Sequence, residues 1–222
     1  NVWVGFNACD LTKHTFLLDT ASFWEQLCLD LLKQYGADPE PGVGALVSAM
    51  SPKEGAAYCK EHYHLTASLE EILGAVSTAA ADFYCHRAQA KPGLDKALSL
   101  LKMEGVWMYV ATSTDRRLAE AALRCAGIDG YFRGLITCAD VGASKEDSPA
   151  VYESAMRRLH SNKRDTVIFE DSLAAIRTAK AAGFRVAGVY NPAAEADQAA
   201  IQAEADYYLR SFEEMFDATD LG

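Results

Sequence analysis

Three short segments place groups able to handle phosphate or a hard cation directly after apolar, β-forming runs. Val167-Ile168-Phe169-Glu170-Asp171-Ser172 is an apolar run closed by two adjacent carboxylates. Hard oxygens of this kind suit Mg²⁺, which takes one or two carboxylates together with water and substrate phosphate. Taken alone, the pair serves equally well as a helix cap with a solvated neighbour. Tyr109-Val110-Ala111-Thr112-Ser113-Thr114-Asp115 leads from a strand into a helix start through consecutive hydroxyls. Thr112, Ser113 and the free N–H groups of such a turn can hold a phosphoryl group, although an isolated example is more often a simple N-cap. Lys145 lies in the loop Val141-Gly142-Ala143-Ser144-Lys145-Glu146-Asp147-Ser148-Pro149. There it can neutralise charge on a transferring phosphoryl group, where a lone lysine defaults to the surface. The order of hydroxyls, lysine and paired acids, each beyond a separate strand, favours one phosphate site over three unrelated features.

The elements that position these groups follow from hydrophobic patterning. Beyond residue 106, β-rich runs at Val106–Ala111, Gly134–Thr137, Thr166–Phe169, Val186–Val189 and Tyr207–Leu209 alternate with amphipathic stretches near 115–126, 149–160, 173–182 and 194–204. That alternation predicts α/β units on a parallel sheet. Residues 21–90 show helical periodicity without a convincing strand, so they form a separate all-helical unit. Ser51-Pro52-Lys53-Glu54, Ser68-Leu69-Glu70-Glu71 and Ser211-Phe212-Glu213-Glu214 each read as a capping box that starts a helix. Lys91-Pro92-Gly93-Leu94 returns the chain to the α/β part. The fold class expected is a doubly wound, parallel-sheet (Rossmann-like) core of residues 1–20 and 91–222 with an all-helical cap of residues 21–90. An insert after the first strand sits at the carboxyl edge of the sheet, where open α/β folds bind their ligands.

Composition narrows the partners. The chain has 222 residues, half of them apolar, and a formal charge of −10. A surface this acidic does not attract nucleic acid or anionic membrane, so any phosphate must be held by a local site. No apolar run is long enough to span a bilayer and no secretory leader pattern opens the chain, so a cytoplasmic location is expected. The six cysteines (Cys9, Cys28, Cys59, Cys85, Cys125, Cys138) contain no C-x-x-C pair and no histidine at zinc-ligand spacing. They are expected to be reduced core thiols.

With "ATSTDRRLAEAALRCAGIDGYF", "KEDSPAVY" and "VIFEDSLAAIRTAKAAGFRVAGVYN" in place, the chain resembles the haloacid dehalogenase-like hydrolases, in the capped branch that contains phosphoglycolate phosphatase and β-phosphoglucomutase. The resemblance covers nearly the whole chain and is strongest over residues 92–217. It implies that Thr112, with Ser113, binds the substrate phosphate, that Lys145 clamps it, and that Glu170 and Asp171 join a nucleophilic Asp in a Mg²⁺ site. Pro149 lies four residues after Lys145, where the family usually has three, which puts the position of the lysine in question.

The first loop departs further. The family pattern is D-x-D-G-T-hydrophobic-hydrophobic-D-[TS], and residues 7–20 read "NACDLTKHTFLLDT", where only Leu17-Leu18-Asp19-Thr20 matches cleanly. An ungapped count puts Thr12 and His14 at the two catalytic positions. In a first gapped alignment the strand ends at Cys9, Asp10 is the nucleophile and a metal ligand, and Thr12 stands in place of the acid/base. In a second, Val2–Phe6 is the strand and Asn7 replaces the nucleophile, which an amide cannot do. The first keeps a carboxylate in the expected order and is preferred; a local reading-frame slip over residues 12–16, or a plain loop there, are the remaining alternatives.

The resulting expectation is a Mg²⁺-dependent phosphomonoester hydrolase acting on a small phosphorylated metabolite through an aspartyl-phosphate, weakened by the altered loop, as a monomer or weak homodimer. The alternatives are a non-catalytic protein that binds phosphorylated metabolites on the same fold, and a sugar-phosphate mutase. No role is assigned to Trp24, Tyr63 or His64.

Overall fold

A computed structural model describes residues 3–6, 18–19, 23–48 and 50–217. Asn7, Asp10, Thr12 and His14 lie outside the described residues. The main sheet has six strands: β1 (Trp3–Phe6), β4 (Met108–Thr112), β5 (Phe132–Thr137), β6 (Thr166–Glu170), β7 (Arg185–Val189) and β8 (Tyr207–Leu209). Their order is β5-β4-β1-β6-β7-β8 and every pairing is parallel. From the central β1 the chain builds outward to β5 on one side and then to β8 on the other. The strand order therefore reverses beside β1, the place where such sheets leave a crevice for a ligand.

Both faces of the sheet are covered, which explains why β4 and β6 are buried at every position, with unbroken apolar centres rather than alternation. Met108, Val110, Val167, Phe169, Ala187 and Val189 point into one cluster, together with residues of α5 (Leu94–Met103) and α6 (Arg116–Cys125). Their neighbours Tyr109, Ala111, Ile168 and Val186 point into the other, against α8 (Ala150–Arg158) and α9 (Leu173–Ala181). The two-residue period of the strands thus sorts a continuous apolar run onto two helical layers. Beyond β7 the chain makes a short 3₁₀ segment, Pro192–Asp197, before α10 (Gln198–Glu204), so the helix expected from 194 starts later.

Four helices precede β4 in the inserted stretch: α1 (Phe23–Gln34), α2 (Val43–Ser48), α3 (Pro52–His62) and α4 (Leu69–His86). They enclose their own core of Cys28, Leu32, Val43, Ala56, Cys59, Leu65 and Ile72. The capping boxes at Ser51 and Ser68 form as read, with reciprocal bonds to Glu54 and Glu71. The third does not: Glu214 Oε2 accepts from the Arg210 N–H, Ser211 Oγ accepts from the Glu213 N–H, and α11 spans Glu214–Asp217. The two crossings between sheet and helices are pinned together by an antiparallel pair, β2 (Leu18–Asp19) with β3 (Gln89–Ala90). Just after it, Gly93 adopts φ +79°, and a Cβ there would lie 2.6 Å from the Glu213 backbone nitrogen. Only glycine fits that close approach.

The helical unit is joined to the core more firmly than two linkers would allow. Phe23 and Leu27 of α1 and Ala80 and Tyr84 of α4 belong to the same cluster as Leu94, Leu98 and Ala119. Cys85 of α4 is disulfide-bonded to Cys125 of α6, with Cα atoms 4.8 Å apart. This corrects the expectation of reduced thiols throughout: spacing along the chain does not reveal that α4 and α6 run side by side. Cys28, Cys59 and Cys138 are buried.

Candidate active site

Three loops leave the carboxyl ends of β4, β5 and β6 on the same edge of the sheet. Thr112 is the last residue of β4, fully buried, and its Oγ1 accepts the Thr114 N–H at 3.1 Å. That bond folds the hydroxyl turn tightly, and Asp115 then caps α6 by accepting from the Arg117 and Leu118 N–H groups. Ser113, between them, is exposed and faces the cleft.

After β5, α7 (Cys138–Val141) opens the lysine loop through a capping box between Thr137 and Asp140. Arg116 clamps Asp140 from the neighbouring loop, Nη2 to Oδ2 at 2.7 Å. Backbone donation by Thr137, assisted by its hydroxyl and by Arg116, holds the Asp140 carboxyl below the usual carboxylate range against a partial desolvation penalty. Thr178 of α9 donates to the Glu146 carbonyl and fixes the far side of the loop. Lys145 is consequently 1% exposed, and its Nζ lies 3.2 Å from each oxygen of Glu170. The extra residue before Pro149 does not keep the lysine from the acidic pair.

The two acids differ in what they offer. Glu170, at the end of β6, accepts from Lys145, from the Tyr152 hydroxyl at 2.8 Å, and from the N–H groups of Asp171 and Ser172. Complete burial pushes its carboxyl above the usual range; Lys145 opposes that and Asp171 adds to it. Asp171, 1% exposed, accepts from Asn191 Nδ2 at 2.8 Å on Oδ2, while Oδ1 is buried with no partner among the described residues. An orphaned carboxylate oxygen in a buried site costs about 1–3 kcal/mol or more unless a ligand completes it. A hard divalent cation is the complement such an oxygen calls for, so the donor set fits Mg²⁺. Among the described residues no group of three acidic, His or Cys side chains converges as a cation cage.

Asn191 and Tyr152 went unread in the sequence. Asn191 follows β7 at the same sheet edge and sits between Tyr190 and Pro192; a polar residue at a strand's carboxyl end before a proline was the available signal. It is held by Gln198, which donates to its carbonyl and accepts the Tyr208 hydroxyl at 2.7 Å. Tyr152 carries no such signal, because on α8 it has the spacing of an ordinary core aromatic.

The loops converge on a cleft of about 810 Å³ between the sheet edge and the helical unit. Its floor includes Ser113, Glu146 and Ser172, the residues next to Thr112, Lys145 and Asp171. Its roof includes Trp24 of α1, Lys53 of α3 and Val76 of α4. The structure therefore brings together Thr112, Ser113, Lys145, Glu170 and Asp171. Asp10 and Thr12 are outside the described residues, and β1, which would lead to them, is described as far as Phe6, opposite Val110 and Phe169.

Comparison with known proteins agrees with this arrangement. The chain is 26% identical over 174 residues to the phosphorylated carbohydrates phosphatase of Thermotoga maritima, covering 78% of this chain and 80% of that one. It is 32% identical over 148 residues to the validoxylamine A 7′-phosphate phosphatase of Streptomyces hygroscopicus subsp. limoneus, covering 67% of each. The fold matches CbbY from Rhodobacter sphaeroides, solved in complex with phosphate, with a TM-score of 0.78, 22% identity and coverage of 97% and 96%. The model of the haloacid dehalogenase-like hydrolases matches residues 15–189 and begins within the odd first loop. With an α/β core, a helical cap and the loops above, the chain belongs to the haloacid dehalogenase-like hydrolase family.

Proposed function

We propose that the chain is a Mg²⁺-dependent phosphatase acting on a small phosphorylated metabolite. The observation that carries this reading is the buried Oδ1 of Asp171, unpartnered among the described residues, beside a lysine-clamped Glu170 and directly before Ser172, which lines the cleft. Relatives named as phosphatases support the reaction class. Asp171, Glu170 and Asp10 would hold the metal, which supplies positive charge for the transferring phosphoryl group. Thr112 and Ser113 orient the phosphate through hydroxyls and turn N–H groups, and Lys145 offsets charge both on the phosphate and on Glu170.

Asp10 is the nucleophile in this reading. Its carboxylate bonds to phosphorus as the ester P–O bond breaks, and the leaving alcohol takes up a proton; water then cleaves the aspartyl-phosphate. Thr12 in place of a carboxylic acid/base removes help worth roughly 10²–10⁴-fold, so slow turnover is expected. Residues 21–90, as the cap over a core of 1–20 and 91–222, close the cleft and limit water to the attacking molecule. The β2–β3 pair at the two crossings supports that division. A monomer or weak homodimer in the cytoplasm, with no nucleic-acid or membrane partner, completes the reading.

A second reading follows from the alignment in which the strand closes at Phe6 and Asn7 takes the nucleophile position, which would leave a protein that binds phosphorylated metabolites without hydrolysing them. Mutase activity needs the missing acid/base and has no such support. Phosphate release from a panel of phosphomonoesters, with and without Mg²⁺, by the wild type and Asp10→Asn separates the two. Metal-dependent release lost in Asp10→Asn supports the phosphatase. Ligand-dependent thermal stabilisation with no release by the wild type supports the binding protein.

A further inference from the structure

The cleft has two chemically different ends. Its floor carries the phosphate-handling loops, while Trp24, Leu73 and Val76 from the helical unit form an apolar patch with Leu118 from α6, beside the polar Ser51, Lys53, Glu54 and Ser77. Trp24 is backed by Phe23, with ring centroids 5.1 Å apart edge to face, and Phe23 is stacked on Phe83 at 4.0 Å. The indole is thereby fixed before any ligand arrives. Its Nε1 is buried with no acceptor among the described residues, so the part of Trp24 on the cleft is carbon surface rather than a hydrogen-bonding edge. Such a patch rewards an apolar or aromatic body.

Charge points the same way. Among the described residues that line the cleft, Lys53 is the one cation, against the carboxylates of Glu54, Asp115 and Glu146. A second phosphate on the substrate would bring two further negative charges into this wall. Desolvating them beside three carboxylates and one ammonium is unfavourable.

We propose that the cleft selects a phosphomonoester whose leaving alcohol carries an apolar or aromatic body and no second phosphate, with Trp24 as the specificity-determining platform. The proposal rests on the phosphatase reading of the cleft floor. Its test separates binding from turnover by using phosphonates, whose carbon–phosphorus bond is not hydrolysed. Titration calorimetry with Mg²⁺ present should show phenylphosphonate binding about tenfold more tightly than methylphosphonate, the scale of burying one ring against a tryptophan. Trp24→Ala should abolish that difference, and Leu73→Ala, as a second variant, should reduce it. Phosphate release should favour phenyl phosphate over a sugar bisphosphate by about tenfold in kcat/KM. Equal affinity for the two phosphonates, or a preference for the bisphosphate, overturns the proposal while leaving the phosphatase reading in place. A phenyl preference in binding with no phosphate release from any ester overturns the phosphatase reading and leaves the cleft assignment standing.

Discussion

Asn191 donates from Nδ2 to Asp171 Oδ2 at 2.8 Å, and the other carboxylate oxygen, Oδ1, is buried with no partner among the described residues. Gln198 donates to the main-chain carbonyl of Asn191 and accepts from the Tyr208 hydroxyl, so the backbone that carries Asn191 is tied to β8. Partners of this kind typically change metal affinity or activity by roughly 10–100-fold. Asn191→Leu should therefore raise the Mg²⁺ concentration for half-maximal phosphate release by about tenfold or more, with a smaller effect on kcat at saturating metal. An unchanged Mg²⁺ dependence would show that Asp171 does not need this support.

Tyr152 is the neutral partner of a fully buried carboxylate. Its hydroxyl donates to Glu170 Oε2, and burial first, then the Glu170 charge, pushes its own ionisation well above the ordinary tyrosine value. The phenol therefore stays a donor at every working pH. Tyr152→Phe should lower stability by about 1–3 kcal/mol in urea unfolding, because Glu170 loses one of its donors in a dry site. A neutral substitution would mean that water reaches Glu170 from the cleft.

Asp140 ties the lysine loop to β5, and its carboxyl is held below the usual range, chiefly by the Thr137 N–H. A depressed folded value means that the stabilisation is complete above the ordinary carboxylate value, about 4. It is lost as the pH falls through the lower folded value. Asp140→Ala should cost about 1 kcal/mol at neutral pH and nothing in strong acid, with the exposed Arg116 contribution partly screened by salt. A deficit that persists unchanged in acid would assign it to packing rather than to charge.

The Cys85–Cys125 bond closes a stretch of 40 residues and fastens a cap helix to a core helix. Chain-entropy arguments give about 2–4 kcal/mol for a link of this size. The double substitution Cys85→Ser with Cys125→Ser should lower the unfolding free energy by that amount. Alkylation under denaturing conditions should label two more thiols after reduction than before. Equal labelling would remove the crosslink.

Much of this molecule is legible from local pattern. The apolar runs that become β4 and β6 end at Thr112 and Glu170, so residues just past them had to meet at one sheet edge, and Lys145 joins them by the same rule. What escaped reading depends on tertiary adjacency. Glu170 and Asp171 look alike in sequence, yet only the fold assigns one to Lys145 and Tyr152 and the other to Asn191. Cys85 and Cys125 meet because two helices pack side by side, and Trp24 acquires a face on the cleft because α1 lies across it. The Ser211 segment misled for a local reason: Glu214 reaches back to Arg210, one residue earlier than the capping-box spacing requires.

The most direct test is a Mg²⁺ titration of phosphate release by the wild type and by Asp171→Asn, with folding of both checked by circular dichroism. The expected result is release that rises with Mg²⁺ in the wild type and falls by about 100-fold in Asp171→Asn, since the amide carries no charge and offers one oxygen in place of two. Release that is independent of Mg²⁺, or equal in the two proteins, would contradict the assignment of Asp171 and with it the metal-dependent phosphatase.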